Sequence, residues 1–358
     1  MCFYCKSLSG SVDDSESVSL TNNNFNSIIQ QIRKNVDYIK GICTCHTNFA
    51  SKTAQIIAEA LTANTHVLTL RLSKKIGNLG AEAIANMLKT NSTIKVNDLK
   101  HNSSLSLVGI SAIADVLKYN TTVTMLNLSG TILKRQDCEA LGRMLRVNTT
   151  LTTLDISRNY FDTKGIRALL DSGLQYNRSL RKLSIANNNI SSVGAIVFAK
   201  FMETNNTIKE LDVSNNYFNS EGIIAFMRML LINKTLTNVN FNNIYTFNND
   251  AVKSMSHMFA YNTTLNTLTM INTSGNLENY WLLNTNWTTQ LEVGLESNYS
   301  LIKFDTNIVS SKISAIVFNN NFRKLYITLM LLFSKYDYIV PSLLVKRIVA
   351  DVLLMPNF

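Results

Sequence analysis

Proline is almost absent from this chain, with Pro341 and Pro356 the only two among 358 residues. No Pro-rich linker can therefore separate domains. Long apolar runs are also missing, because residues 326–333 fall short of the roughly 20 residues that a membrane-spanning helix needs. The first six residues lack the apolar core of a signal peptide. These absences predict no membrane span and a cytoplasmic location.

Cysteine is scarce and its count is odd. The five cysteines are Cys2, Cys5, Cys43, Cys45 and Cys138. An odd number without a signal peptide argues against a disulfide framework and favours free thiols. Cys43, Cys45 and His46 contain the ligand types that zinc prefers, although C-x-C is not the usual pair spacing. A zinc site there, or acylation of Cys2 or Cys5, remains an alternative.

Catalytic motifs are missing as well. The sequence contains no P-loop, no G-x-G-x-x-G after a strand, no H-E-x-x-H and no G-x-S-x-G. The four histidines are too dispersed to share a metal spacing. We therefore expect neither an enzyme nor a cofactor.

The feature that is present is a repeated apolar pattern led by asparagine. The clearest copy begins at Asn148 and continues with Leu151, Leu154, Ile156 and Asn159. The first apolar position recurs nine times, at Val67, Ile94, Val123, Leu151, Leu180, Ile208, Leu236, Leu265 and Leu301. Successive spacings are 27, 29, 28, 29, 28, 28, 29 and 36 residues. Such a period indicates a solenoid.

Each repeat has a strand half and a helical half. The strand half is L-x-x-L-x-L-x-x-N, in which apolar and polar residues alternate with the period of a β-strand. The closing amide, as in Asn188, can bond backbone groups at the turn, so stacked copies predict a ladder. Gly165, Gly194 and Gly222 suit a close approach at the helix start. Asparagines after the helices predict a left-handed cap, at Asn148, Asn177, Asn205, Asn233 and Asn262.

The strand motif, the long helical half and the alternating period resemble the ribonuclease-inhibitor-like leucine-rich repeat family over roughly residues 36 to 310. This resemblance implies an α/β horseshoe with parallel strands on the concave face and helices on the convex face. It also implies a protein-binding scaffold, because most members have that role. The pattern departs at Asn97, where leucine is expected, and around residues 273–287, where an insertion is expected.

The ends of the chain predict caps, because terminal repeats of a solenoid expose apolar surface. We expect a flexible start and N-terminal cap over residues 1–35, and nine to ten repeats over 36–318. We expect residues 319–358 to form a helical cap or a docking hairpin. Within them a helix–Pro–helix pattern is faintly similar to F-box-type or SOCS-box-type tails.

Net charge is +10, and the basic excess is spread along the first two thirds without a dense block. This distribution favours an acidic protein partner, and no aromatic-interleaved basic motif predicts specific nucleic-acid binding.

The strand register predicts a polar strip on the exposed concave face. Rigid strands present such side chains in rows, so we expect the strip to bind the partner. Its members are Arg71, Lys74, Asp98, Lys100, Asn127, Asp155, Arg158, Lys182, Asp212 and Asn240.

The resulting hypothesis is a monomeric, non-catalytic interaction scaffold. One alternative is a substrate adaptor that recruits a ubiquitin ligase through residues 336–355. Another is a regulator of a small GTPase, as in one related leucine-rich repeat group, although those proteins carry an acidic tail that is absent here.

Overall fold

The computed structural model describes residues 17–44, 50–244, 248–270, 285–296, 298 and 303–306. Within these residues strands and α-helices alternate, and a 3-10 helix at Leu174–Tyr176 follows the sixth α-helix. The strands, β1 to β11 in chain order, are Ser17–Ser19, Gly41–Cys43, Thr69–Arg71, Val96–Asp98, Met125–Asn127, Thr153–Asp155, Lys182–Ser184, Glu210–Asp212, Asn238–Asn240, Thr267–Met270 and Lys303–Thr306. The α-helices, α1 to α10, are Phe25–Arg33, Ser51–Leu61, Gly77–Leu88, Leu107–Leu117, Arg135–Val147, Thr163–Ser172, Ser192–Thr204, Ser220–Ile232, Asn249–Tyr261 and Thr285–Glu296.

The strands form one parallel sheet in chain order from β1 to β11. Each strand pairs with its neighbours one repeat away, so that Leu126, Leu154 and Leu183 are register partners. Consecutive helices pack on one another along the other side of the sheet. This arrangement confirms the predicted α/β leucine-rich repeat solenoid, with strands on the concave face and helices on the convex face.

The core lies between the sheet and the helices. Positions are numbered from the first apolar residue of each repeat, and positions 1, 4 and 6 point inward, as shown by Leu151, Leu154 and Ile156 at 0% exposure. Asn97 is the exception at position 4. It is fully buried between the core residues Leu70 and Leu126, and neither atom of its amide has a hydrogen-bond partner.

Asparagines at position 9 form the predicted ladder, which we call the strand-end ladder. The Asn159 amide donates to the Leu128 and Ile156 carbonyls at 2.8 and 3.0 Å, and so joins two repeats. Its oxygen accepts from the N–H groups of Thr131 and Leu133 at 2.8 and 3.2 Å. Buried equivalents that also bond across repeats are Asn102, Asn188 and Asn216.

A second ladder, the helix-end ladder, follows the helices. The Asn177 amide donates to the Leu145 and Asn148 carbonyls at 2.8 and 3.1 Å, and its oxygen accepts from the Leu180 N–H at 2.8 Å. The same two-way bonding is made by Asn64, Asn91, Asn120, Asn148, Asn233 and Asn262. Asn205 shares the accepting bonds and Asn298 the donating ones.

The left-handed cap predicted for Asn148, Asn177, Asn205, Asn233 and Asn262 is wrong. All five are extended, with φ between −68° and −75°. The extended backbone lets each amide reach the carbonyls at the end of the preceding helix while it caps the next strand. Asparagine therefore occurs here for its hydrogen bonds and not for its tolerance of positive φ.

A left-handed residue recurs instead at position 8 of the repeats that begin at Val67 to Leu236, directly before the position of the strand-end ladder. There φ lies between 53° and 71°. Its occupants are Lys74, His101, Gly130, Arg158, Asn187, Asn215 and Asn243. Glycine and asparagine adopt this conformation most readily, so the lysine, histidine and arginine are held there at a cost in backbone energy.

The close approach predicted at the helix starts is confirmed. A Cβ on Gly194 would lie 2.6 Å from Cγ2 of Ile190 and 2.8 Å from Oγ1 of Thr163. Real Cβ atoms do not come so near to other atoms, so only glycine lets the helix start this close to the turn.

The segment predicted as an N-terminal cap contains β1 and α1, and β1 pairs with β2. Residues 1–16, most of the insertion expected at 273–287, and the segment 319–358 lie outside the described residues. Among the helices that are described, none is long and apolar enough to cross a membrane.

Candidate functional site

Position 5 of each strand has a structural task that the sequence did not reveal. Its side-chain oxygen accepts a hydrogen bond from the backbone N–H two residues later, which turns the chain at the strand end. Donor–acceptor distances are 2.9–3.1 Å. The residues that make this bond are Asp98, Asn127, Asp155, Asp212 and Asn240.

Several residues predicted to be exposed on the concave face are buried. Arg71, Asp98, Asn127 and Asp155 are at most 6% exposed, so this part of the prediction is wrong. Parallel strands bring neighbouring side chains to about 5 Å from one another, and the bond to the backbone holds each position 5 side chain against its own strand. The side chains of neighbouring strands therefore cover these residues.

A buried ionic cluster joins β3 and β4. The Asp98 carboxylate lies 4.0 Å from Nε of Arg71 and 3.8 Å from Nζ of Lys100. Burial raises the pKa of Asp98, and the nearby cations and the Lys100 N–H only partly oppose that rise. The two cations thus offset the cost of burying the Asp98 charge, and the cluster has a structural role.

The accessible part of the concave face is a groove of about 550 Å³ that crosses β6 to β10. Its lining includes five predicted residues, which are Arg158, Lys182, Asp212, Asn240 and the almost completely buried Asp155. Lys182 and Glu210, both at position 3 of adjacent strands, form a 2.9 Å ion pair with side chains 41% and 48% exposed. Most of the residues that line the groove are polar, and a few apolar ones such as Leu183 and Leu211 also contribute surface.

A family model described as leucine-rich repeat matches residues 147–170, 176–199 and 204–227. These segments contain three consecutive strand–helix repeats of the parallel sheet. These three segments are leucine-rich repeats, and the described part of the chain folds as a leucine-rich repeat solenoid. No curated protein matches its sequence. Assignment to the ribonuclease-inhibitor-like subgroup stays a prediction.

Solved structures resemble this leucine-rich repeat protein at low sequence identity. LegL7 from Legionella pneumophila is 13% identical with a TM-score of 0.51, and the match covers 84% of this chain and 96% of that one. A tropomodulin C-terminal domain from Caenorhabditis elegans is 14% identical, with a TM-score of 0.33 and coverage of 62% and 96%. Actin-binding site 2 of leiomodin-1 is 15% identical, with a TM-score of 0.31 and coverage of 63% and 94%. The likeness to LegL7 shows the fold alone.

Asp212 links the leucine-rich repeat groove to the fold. Its Oδ1 accepts from the backbone N–H and the hydroxyl of Ser214, at 3.0 and 2.7 Å. Burial raises the pKa of Asp212, opposed by bonds from Ser214 and Asn240. The side chain is therefore held in place before any partner arrives.

A basic cluster lies at the strand ends near β4 and β6. Burial, and then the charges of Lys100 and Arg158, lower the pKa of His101, with a further contribution from Lys74. Three predicted site residues are thus close enough to act on one imidazole. Of the three, Arg158 lines the groove, and Lys100 is paired with Asp98.

Sequence reasoning missed part of the groove lining. Thr267 at position 3, and Asn187 and Asn215 at position 8, line it but were not predicted. Numbering each strand from its first apolar residue would have found them, because lining positions recur with the repeat.

The cysteine prediction is changed at one position. Cys43 is disulfide-bonded and 1% exposed, so the free thiol expected there is wrong. A sulfur in a disulfide cannot serve as the thiolate that zinc requires. Cys45 and His46 lie outside the described residues. Within the described part of the chain, no three His, Cys, Asp or Glu side chains are placed to hold a metal ion.

Proposed function

We propose that this leucine-rich repeat protein is a non-catalytic scaffold that binds a protein partner through the concave groove. The observation that carries the proposal is the row of position 3 side chains across β7 to β10. Lys182, Glu210, Asn238 and Thr267 are half-exposed or exposed, and neither ladder uses them. Side chains that the fold does not need are available for recognition.

The groove provides these side chains on a rigid base. Its strands are held by the sheet on both sides, and the position 5 bonds at Asp212 and Asn240 fix the strand ends. Binding a partner would then order few additional groups, which reduces the entropic cost of association. A polar, preorganised surface favours specific recognition of a partner.

The chemistry of the groove supports binding more than catalysis. Its acids, Asp155 and Asp212, accept backbone hydrogen bonds, and Glu210 pairs with Lys182. No histidine or cysteine lines it. The Ser214 hydroxyl donates to the Asp212 carboxylate at 2.7 Å, and none of the described histidines lines the groove to act as the base of a serine nucleophile.

An acidic partner stays a prediction from the net charge of +10. The groove itself contains two cations, Arg158 and Lys182, and three carboxyl groups, so its own charge does not select an acidic partner. A cytoplasmic location and a monomeric state stay predictions. Nothing in the described residues favours a ubiquitin-ligase adaptor or a GTPase regulator, and the segment on which the adaptor hypothesis depends lies outside them.

The proposal can be tested by inverting the ion pair in the groove. The variant Lys182→Glu with Glu210→Lys retains the pair and the net charge while reversing the pattern that a partner meets. The matched control inverts the exposed pair on α5, Glu139→Arg with Arg143→Glu, whose atoms are also 2.9 Å apart. Both full-length variants and the wild type would be tagged and compared by quantitative affinity purification with mass spectrometry.

We expect the groove inversion to lose at least one partner that the α5 inversion retains, with all three proteins equally folded by circular dichroism. Identical partner sets and amounts for the two inversions would overturn the proposal. The lost partner would then be purified and titrated against each protein. Binding to the wild type, and not to the groove variant, would establish that the contact is direct.

A further inference from the structure

The stacking of repeats concentrates positive charge along the edge of the solenoid that carries the helix-end ladder. Seven asparagines of the helix-end ladder, from Asn91 to Asn262, define this edge. For each of them we take the five residues before it, the asparagine itself and the four residues after it, and we call the whole set the asparagine edge. These seventy residues contain eleven lysines and arginines but only two acids, Asp115 and Glu203. The edge thus carries +9 of the net charge of +10.

Most of these cations have no carboxylate partner. Lys118, Arg143 and Lys200 form ion pairs within their own helices. The other eight are exposed, and none forms an ion pair in the described part of the chain. Helix dipoles account for a cation in a last helical turn, such as Arg146. They do not account for Lys95, Arg181 and Lys209, which lie at strand starts.

A row of exposed apolar side chains runs along the same edge. The residue directly before the ladder asparagine is large, apolar and 50–83% exposed in five repeats. These residues are Tyr119, Val147, Tyr176, Ile232 and Tyr261. They are a third of the fifteen large hydrophobic side chains that are exposed in the described part of the chain. Stacking places Tyr119, Val147 and Tyr176 on consecutive repeats, and Ile232 and Tyr261 on two more. Exposed apolar groups that adjoin one another indicate a binding surface.

The structure joins the charge and the apolar row. The Arg146 guanidinium lies over the Tyr176 ring, 4.7 Å from its centroid. Beside Tyr119, a groove of about 760 Å³ opens between α3 and α4, and Lys89 also lines it. The edge therefore has cations, exposed apolar groups and a concavity within one continuous surface.

We propose that the asparagine edge is a second docking surface, distinct from the concave groove, for an acidic polypeptide segment that carries apolar side chains. Acidic groups on that segment complement the unpaired cations, and its apolar side chains cover the exposed row. A protein fits better than a nucleic acid. Val147 and Ile232 offer nothing to a phosphate chain, and Arg146 occupies the face of Tyr176 on which a base would stack.

The test measures binding of the full chain to labelled poly(Glu,Tyr), an acidic copolymer with an aromatic group, by fluorescence anisotropy. One variant neutralises four edge cations through Lys89→Gln, Arg146→Gln, Lys209→Gln and Lys234→Gln. Its control neutralises four exposed cations that lie in the first half of a helix, outside the asparagine edge, through Lys52→Gln, Arg135→Gln, Lys164→Gln and Arg167→Gln. Both have the same net charge, so any difference reports position.

We expect the edge variant to lose at least tenfold in affinity and the control less than threefold. A third variant, with Tyr119→Thr, Ile232→Thr and Tyr261→Thr, should lose at least fivefold. Thr90 and Thr204 already occupy this position, so threonine suits the fold. The groove inversion proposed above should bind poly(Glu,Tyr) as the wild type does, which separates this proposal from the proposed function.

Equal losses in the edge variant and its control would overturn the proposal, because net charge alone would then explain binding. Poly(Glu) binding as tightly as poly(Glu,Tyr) would overturn the role of the apolar row. An oligo(dT) of twenty nucleotides that binds more tightly than the copolymer, and loses affinity in the edge variant, would replace the polypeptide with a nucleic acid.

Discussion

The backbone N–H of Asn159 donates a 3.1 Å hydrogen bond to the side-chain oxygen of Asn188, one repeat further along the solenoid. Both side chains are almost completely buried. Each amide thus satisfies backbone groups of its own repeat and of a neighbour. The polar groups that the turns leave inside the protein are paired by this relay.

Removing one member of the strand-end ladder should be costly. Asn159→Ala leaves the carbonyls of Leu128 and Ile156 and the N–H of Leu133 without this amide. Buried groups that lose their partners cost about 1–3 kcal/mol each, so we expect a loss of about 3 kcal/mol in unfolding free energy, measured by urea titration. The reverse change, Thr131→Asn, supplies a missing ladder amide and should raise stability. A neutral Asn159→Ala would contradict the role of the ladder.

The buried amide of Asn97 should make the repeat less stable than it could be. Asn97→Leu removes two polar atoms that have no hydrogen-bond partner and restores the apolar residue found in the adjoining strands. We expect a gain of about 2 kcal/mol in unfolding free energy, read from the urea midpoint. Leu126→Asn, the opposite change one strand away, should lose at least as much. A loss of stability in Asn97→Leu would mean that the amide has a binding or folding role.

The raised pKa of the Asp212 carboxyl group predicts that the stability of the protein depends on pH. Burial raises the pKa of this group in the folded state, so the folded protein binds this proton more tightly than the unfolded chain does. Its contribution to stability is present below the unfolded carboxyl pKa, about 3.9, and is lost as pH rises through the folded pKa. Asp212→Asn keeps the oxygen that accepts from Ser214 and should be more stable than wild type at pH 7, with the difference vanishing near pH 3.

Thermal unfolding from pH 3 to pH 8 measures this difference. Asp212→Ala provides the control, because it removes the charge and the acceptor together. It should be about 1 kcal/mol less stable than Asp212→Asn at either pH. A difference between Asp212→Asn and wild type that did not change with pH would rule out the carboxyl group as its source.

Ile132 should be replaceable with a gain in stability. It is a β-branched residue at φ 63° and 45% of it is exposed, so its conformation is unfavourable and little packing compensates. We expect Ile132→Gly to raise the unfolding free energy by about 1 kcal/mol. Tyr217→Gly, at the same repeat position but without positive φ, should give no gain. Failure of Ile132→Gly in partner binding, despite higher stability, would identify a strained contact residue.

The apolar pattern allowed the strands, helices and core to be predicted. Positions 1, 4 and 6 lie within six residues of one another, so the short motif alone shows which side chains are buried. The strand-end ladder was predictable for the same reason, since Asn188 recurs at a fixed place in the turn. The helix-end asparagines were predicted wrongly. Local preference of asparagine for positive φ was outweighed by hydrogen bonds to helices one repeat away, as at Asn177.

Features that depend on stacking could not be read from the order of residues. Arg71 and Asp98 were assigned to the exposed face by strand alternation, yet contacts between neighbouring strands bury them. The cations of the asparagine edge looked evenly spread because they are about 28 residues apart, and only the parallel register brings them together. Arg146 over Tyr176 is one such meeting.

The helix-end ladder also bears on how such a chain can change length. Its amides bond only to the adjacent repeat, as when Asn233 contacts the carbonyls of Met202 and Asn205. Duplication or deletion of one whole period in a gene would join equivalent asparagines and leave every such bond possible. Each added period would also extend the groove by one strand. Length can therefore vary in evolution by whole repeats, while an insertion or deletion of a few residues would break the hydrogen bonds of the helix-end ladder.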